Sequence, residues 1–210
     1  MKKYVSRFHY LTQDLPNRSH PEQARIACEN GANWIQYRCM SKSDEELLDD
    51  IFRIAELCDE WGATLIVTNH VHLVHEADIQ GVHIEDFTAD LREIRNRIGD
   101  EKTLGASATQ FSQVKKAYAE GADYTGFGPF AFTETKPNDF VPVGIEGYRK
   151  LVGELKNNAI DVPVIACGGV QTASVGELMA TGIHGIAASS AVNLSDDAAR
   201  AIKTFYRAVH

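Results

Sequence analysis

Two kinds of apolar pattern alternate along the chain. Short runs rich in β-branched and aromatic residues recur at FHYLTQD (8–14), WIQYR (34–38), TLIVTN (64–69), GVHI (81–84), TLGAS (103–107), DYTGFG (123–128), VPVIACGG (162–169) and HGIAASS (184–190). The segments between them carry apolar residues at helical spacing. In 43–62, Leu47, Leu48, Ile51, Ile54, Ala55 and Leu57 trace one broad face, and Gly62 stands where the helix should end. Ser43 and Glu46 are spaced as a capping box requires. Further helices are expected at 20–31, 71–77, 89–99, 110–121, 144–158, 172–182 and 195–209. Several end in a glycine that leads into the next strand, as at Gly31-Ala32, Gly62-Ala63, Gly121-Ala122 and Gly182-Ile183.

Strands separated by helices form parallel βαβ units. Eight such units close as a (β/α)₈ TIM barrel, expected here as a single domain over 1–210. An open doubly wound sheet fits less well, because no GxGxxG follows the first strand. In a barrel, function gathers where strands end and βα loops begin, which tests every motif by position.

Composition narrows the class. Of 210 residues, 44% are hydrophobic, enough for a sizeable core, and the formal net charge of -8 argues against a nucleic-acid-binding face. Cys28, Cys39, Cys58 and Cys167 form no CxxC pair and no zinc-type spacing, so reduced and mostly buried thiols are expected. The opening MKKYVSRFHYLTQD lacks the apolar run of a signal peptide, and no segment reaches the roughly 18 apolar residues of a membrane span. The expected location is the cytoplasm. The sequence leaves open whether the chain forms a homo-oligomer.

The strand ends hold the candidate chemistry. Alternation puts Gln36 and Arg38 on one side of the second strand and Tyr37 on the other. An inward guanidinium suits bidentate phosphate binding, or a structural ion pair at the rim. Asn69 and His70 follow the third strand; His83, Glu85 and Asp86 end the fourth; Ser107 ends the fifth. Histidines and carboxylates there could bind a divalent cation or exchange protons. Gly168, Gly169, Ser189 and Ser190 follow the last two strands, where barrels often bind phosphate through backbone N–H groups. After the sixth strand comes GFGPFAFTETKP, whose Thr133, Thr135 and Lys136 would hold a second anionic group or close over a ligand. Two anionic subsites suit a reaction that joins two phosphorylated pieces.

Taken together these stretches resemble the thiamine-phosphate synthase family, which includes the related thiazole tautomerases. YLTQD (10–14) is similar to its Y-L-I-T-D strand, IQYRCM to its Q-x-R-x-K element, VTN to I-N-D and GVHI to G-V-H-L. GADYTGFGPFAFTETK resembles its G-A-D-Y-I-G-x-G-P-x-x-x-T-x-T-K signature, and VIACGGV and GIAASSAV its last two strand ends. The resemblance implies a transferase that joins hydroxymethylpyrimidine diphosphate to a thiazole phosphate and releases pyrophosphate. Phosphorylated small molecules would be its partners, with neither nucleic acid nor a membrane. It assigns Gln36, Arg38, Asn69, Ser107 and Lys136 to the pyrimidine diphosphate, with Arg38, Ser107 and Lys136 catalytic. It assigns Thr133, Thr135, Gly169, Ser189 and Ser190 to the thiazole phosphate.

Several positions depart from the pattern. The family lysine is Met40, the aspartate after Asn69 is His70, and the second metal aspartate falls at Thr88 between Asp86 and Asp90. Mg²⁺ is the implied cofactor, with His70, Asp86 and Asp90 as the candidate ligands left. A tautomerase-like isomerase and a non-catalytic binder of thiazole or thiamine phosphate are the alternatives. For the isomerase, the acid/base histidine of the family is Thr109.

Overall fold

A computed structural model describes residues 2–132 and 140–210. Eight parallel strands close into one barrel in sequence order. They are β1 (Phe8–Leu11), β2 (Trp34–Tyr37), β3 (Thr64–Thr68), β4 (Gly81–Ile84), β5 (Thr103–Ala108), β6 (Tyr124–Phe127), β7 (Val164–Ala166) and β8 (Gly185–Ala188). The outer ring contains α1 (His20–Glu29), α2 (Asp44–Trp61), α3 (Leu91–Ile98), α4 (Phe111–Ala119), α5 (Gly144–Asn157), α6 (Thr172–Ala180), α7 (Ser190–Asn193) and α8 (Ala198–Val209). The fold is the expected (β/α)₈ barrel, closed by pairing of β1 with both β2 and β8.

The longest predicted helix forms as its pattern requires. Glu46 Oε2 accepts from the Ser43 N–H and hydroxyl, at 3.0 and 2.9 Å. Gly62 ends α2 in the left-handed conformation at φ 64°. The apolar face of α2 supplies Leu47, Ile51, Ile54 and Cys58 to the core between strands and helices.

One expected helix is absent. Residues 71–77 hold only a 3-10 turn, Val71–Leu73, while β8 is followed by two helices. His70 occupies the cap position but makes no side-chain cap, because its ring points to the Cys39 carbonyl, 3.3 Å away. Val71 and Val74 also disfavour helix. Helical spacing of apolar residues alone did not supply a nucleus.

The barrel interior is a second, smaller core of Val5, Trp34, Ile66, Tyr124, Ile165 and Ala187. The His9 ring stacks on Trp34 at 4.4 Å, and Tyr124 meets both rings edge-on. Among the described residues, Trp34 Nε1 has no hydrogen-bond partner, a cost of about 1–3 kcal/mol. Burial of an indole is worth roughly 4–6 kcal/mol from its area, so the plug is stabilising despite the orphan N–H. Burial, then the nearby His83, holds the His9 pKa well below the usual histidine value, so His9 is a neutral spacer at neutral pH.

A carboxylate ties the first two βα loops together. Asp14 Oδ1 accepts from His20 Nε2, the Cys39 thiol and the Ser41 hydroxyl, and Oδ2 accepts from the Met40 N–H. These are the described residues gathered closely enough to suggest a metal set, but the carboxylate is already saturated by donors. Partial desolvation would raise the Asp14 pKa; the four hydrogen bonds outweigh it and hold it at about 2. A depressed carboxylate pKa stabilises the fold above the unfolded value near 3.9 and loses that effect as pH falls through the folded value. Asp14→Asn should therefore lower stability by about 1 kcal/mol at pH 7, discounted for its partial exposure. Denaturant titrations should show the gap between variant and wild type closing between about pH 4 and pH 2. A gap independent of pH would show that the loss is steric.

Candidate active site

The C-terminal ends of the strands enclose a cavity of about 160 Å³. Gln36, Arg38, Ser107, Gly169, Ser189 and Ser190 all line it, as do His83, Glu85 and Tyr124. Six of the candidates thus converge from four strand ends, those of β2, β5, β7 and β8, although they span 36 to 190 in sequence. Thr133, Thr135 and Lys136 lie outside the described residues.

Strand alternation positions the β2 pair. Gln36 points into the barrel and donates to Thr68 Oγ1 at 3.0 Å. Tyr37 points the other way and donates to Asp50 of α2 at 3.0 Å. Arg38 lines the mouth, where it forms a two-pronged ion pair with Glu85: Nε to Oε1 at 3.0 Å and Nη2 to Oε2 at 3.2 Å. Both side chains are largely screened from solvent, at 19% and 16% exposure. The guanidinium therefore has the rim ion pair and the inward position at once, and an incoming anion must compete with Glu85.

Asn69 and His70 do not line the cavity. Asn69 takes φ 63°, which asparagine tolerates, and its Oδ1 accepts from the Glu85 N–H at 2.9 Å. It thereby fixes the backbone that carries Arg38's partner. Asp86 Oδ1 accepts from the N–H and hydroxyl of Thr88, and these bonds lower its pKa. Asp90 caps α3 through the N–H groups of Arg92 and Glu93. The three candidate metal ligands are thus each engaged separately and do not form a Mg²⁺ cage. Mg²⁺ demands near-octahedral oxygen ligation, which a ring nitrogen facing a carbonyl and a helix cap do not supply.

The opposite wall is backbone. Gly168 and Gly169 take φ 79° and 72°. Among the described residues, no acceptor pairs with the N–H groups of Gly169 and Val170, although both residues line the cavity. Backbone donors of this kind require solvent or ligand as partner. The loop after β6 is stitched to this wall: Phe130 N–H donates to the Cys167 carbonyl at 2.8 Å and Ala131 N–H to Gly168 at 3.0 Å. Ser189 and Ser190 stand beside it, with Ser189 Oγ accepting from Asn193 Nδ2 at 3.3 Å. Phe87 and Phe140 meet edge-on at 5.8 Å and add an apolar side. The cavity therefore has a cationic and hydrogen-bonding side at β2–β5 and a donor-rich side at β7–β8.

Sequence reasoning did not single out Tyr124 or His9, nor Glu85 as the partner of Arg38. Alternation in FHYL and DYTG carried a signal for the first two, since it places His9 and Tyr124 inward with Leu11 and Gly126. All four cysteines are thiols, three of them buried. No described helix is long and apolar enough to cross a membrane.

Comparison with known proteins identifies the family. A family model described as thiamine monophosphate synthase matches residues 10–192. A thiamine-phosphate synthase from Bacteroides fragilis is 36% identical over 188 residues, covering 90% of this chain and 92% of its own. One from Phocaeicola vulgatus is 37% identical over 189 residues, covering 90% of each. Among solved structures, a thiamine phosphate pyrophosphorylase from Pyrococcus furiosus superimposes with a TM-score of 0.84 at 27% identity, covering 97% of this chain and 95% of its own. The chain belongs to the thiamine-phosphate synthase family.

Proposed function

We propose that the cavity joins hydroxymethylpyrimidine diphosphate to a thiazole phosphate, releasing pyrophosphate and forming thiamine phosphate. The observation that carries this reading is the pair of unlike anion-binding walls in one cavity: Arg38 with Gln36 and Ser107 on one side, and the N–H groups of Gly169 and Val170 with Ser189 and Ser190 on the other. A binder of a single phosphate needs only the second wall.

In this reading the diphosphate lies toward Arg38 and Ser107. The bond from the pyrimidine methylene to the diphosphate oxygen breaks first, and the electron-rich ring carries the resulting cation. The thiazole nitrogen then supplies the electron pair for the new carbon–nitrogen bond. Negative charge grows on the departing pyrophosphate, so a fixed guanidinium and aligned hydroxyls lower the barrier electrostatically. Gln36 addresses the pyrimidine, and Asn69 holds the rim through Glu85. Lys136, Thr133 and Thr135 keep the roles that the family resemblance assigns them. The gathered protein ligands do not suit Mg²⁺, so any divalent cation would be held mainly by diphosphate oxygens. Thiols without disulfides fit a cytoplasmic location, and the barrel acts as one catalytic domain.

An end-point assay for thiamine phosphate with both substrates, with Mg²⁺ or with chelator, tests the reading. Product that requires both substrates is expected. Absence of product under both conditions, with phosphate-dependent ligand binding intact, would turn the chain into a binder. Conversion of a thiazole carboxylate phosphate alone would make it an isomerase.

A further inference from the structure

Three polar side chains form a ladder up the barrel interior. The Tyr124 hydroxyl lies 3.0 Å from His83 Nδ1, and His83 Nε2 lies 3.0 Å from Ser107 Oγ. The Tyr124 and His83 rings stack at 5.5 Å. Tyr124 and His83 are 1% and 5% exposed, whereas Ser107 is half-buried at the cavity wall. The ladder needs space that only glycine leaves: a Cβ on Gly105 would sit 2.2 Å from the Tyr124 ring.

We propose that this ladder runs one way, from Tyr124 to His83 to Ser107, and makes Ser107 a committed donor to an anionic oxygen of the ligand. Donor and acceptor counts fix the direction. A neutral imidazole has one donor and one acceptor nitrogen, and the partner of each decides which is which. Among the described residues, the Tyr124 hydroxyl has a single hydrogen-bond acceptor within reach, His83 Nδ1. If Nδ1 carried the proton, the phenol O–H would be buried with nothing to accept it, at a cost of about 1–3 kcal/mol. Tyr124 therefore donates to Nδ1, and the imidazole proton sits on Nε2. That proton occupies a lone pair of Ser107 Oγ. The serine hydroxyl hydrogen is then turned away from His83, into the cavity. With the opposite tautomer, Ser107 would donate inward and present lone pairs to the ligand, which an anion rejects. Burial and the neighbouring Asp123 raise the Tyr124 pKa above the usual tyrosine value, so the phenol stays protonated as the first donor.

Tyr124 and His83 are thus positioning residues for Ser107. The idea rests on the reading that the cavity takes a diphosphate, but its first test does not. In protein with ¹⁵N-labelled histidine, long-range ¹H–¹⁵N correlation spectra should show His83 protonated on Nε2 and bare on Nδ1 at pH 7. Tyr124→Phe should give a mixture of tautomers. Finding Nδ1–H, or a doubly protonated ring, in the wild type overturns the proposal whether or not the protein makes thiamine phosphate. The second test is a calorimetric cycle with inorganic pyrophosphate as the probe. Tyr124→Phe should weaken binding about 3–10-fold, the value of one hydrogen bond, when Ser107 is present. In a Ser107→Ala background the same change should have no further effect. Losses that multiply in the double variant, or an unaltered Tyr124→Phe, would mean that the ladder only packs the barrel. If pyrophosphate fails to bind wild type while the Nε2–H tautomer is found, the synthase reading fails and the ladder stands.

Discussion

Gly169→Ala is expected to lower kcat/KM for thiamine phosphate formation by about 10–150-fold while leaving the barrel folded. The residue sits at φ 72°, and a Cβ there would lie 2.8 Å from the Ala131 carbonyl oxygen and 2.9 Å from that of Phe132. Both atoms are backbone, so neither can rotate away. The left-handed conformation alone costs an alanine about 1–2 kcal/mol. Relief of the clash must move either the Gly168-Gly169 turn or the first residues of the loop after β6, which the turn holds through the Ala131–Gly168 hydrogen bond. Either movement displaces the Gly169 and Val170 N–H groups that face the cavity. A hydrogen bond to a charged group is worth about 1.5–3 kcal/mol, which gives the stated range for the loss of one. The loss should appear mainly as a raised KM for the thiazole phosphate, since the diphosphate wall is untouched. Gly176→Ala is the control. It lies in α6, where an added Cβ meets nothing within 4 Å, so it should raise stability by up to about 1 kcal/mol with unchanged kinetics. If Gly169→Ala keeps wild-type KM for the thiazole phosphate, this wall does not bind that substrate.

The barrel was legible because its signals are local and repeated. Each strand run, each capping residue such as Ser43, and each closing glycine such as Gly62 announces itself within a few residues of chain. The segment 71–77 shows the limit: its apolar spacing is helical, but whether a helix nucleates depended on where His70 turned, and it turned to a carbonyl 31 residues away. The same limit applied at the site. The strand-end rule located Gln36, Arg38, Ser107, Gly169, Ser189 and Ser190, because it needs only order along the chain. It said nothing of which group each side chain faces. The Arg38–Glu85 pair joins β2 to the end of β4 across 47 residues, and the Tyr124–His83 contact spans 41. Such pairings follow from barrel closure and not from any pattern in one segment. For the same reason Asp86 and Asp90, adjacent in sequence to a family metal position, prove to be a turn and a helix cap.

The Arg38–Glu85 pair sets up the other large effect. Arg38→Ala should reduce kcat/KM by about 10³-fold or more, because it replaces the cation of the diphosphate wall with the negative field of Glu85, which stays in the cavity. A partly desolvated anion opposing the developing charge on pyrophosphate acts against the reaction, beyond the simple loss of a charge-assisted bond. Arg38→Lys should recover little, since an ammonium cannot reproduce the two-pronged geometry seen with Glu85. Glu85→Gln should do the opposite. It keeps an acceptor for Arg38 but removes the charge with which a diphosphate must compete, so pyrophosphate should bind about 3–10-fold tighter, corresponding to the difference between a charged and a neutral partner of roughly 1 kcal/mol. Tighter product binding slows release, so kcat should fall even as affinity rises. Calorimetry with pyrophosphate over a range of salt concentrations, beside steady-state kinetics, reads both quantities. Weaker pyrophosphate binding in Glu85→Gln would show that Glu85 serves to aim Arg38 and does not compete with the ligand. In that case the pair is a scaffold, and Met40, where the resemblance leads one to expect a lysine, is a net loss of charge that nothing at β4 balances. If binding tightens as expected, Glu85 sets an upper bound on how firmly this pocket holds its leaving group, and Met40 in place of a lysine acts in the same direction, toward faster release of pyrophosphate.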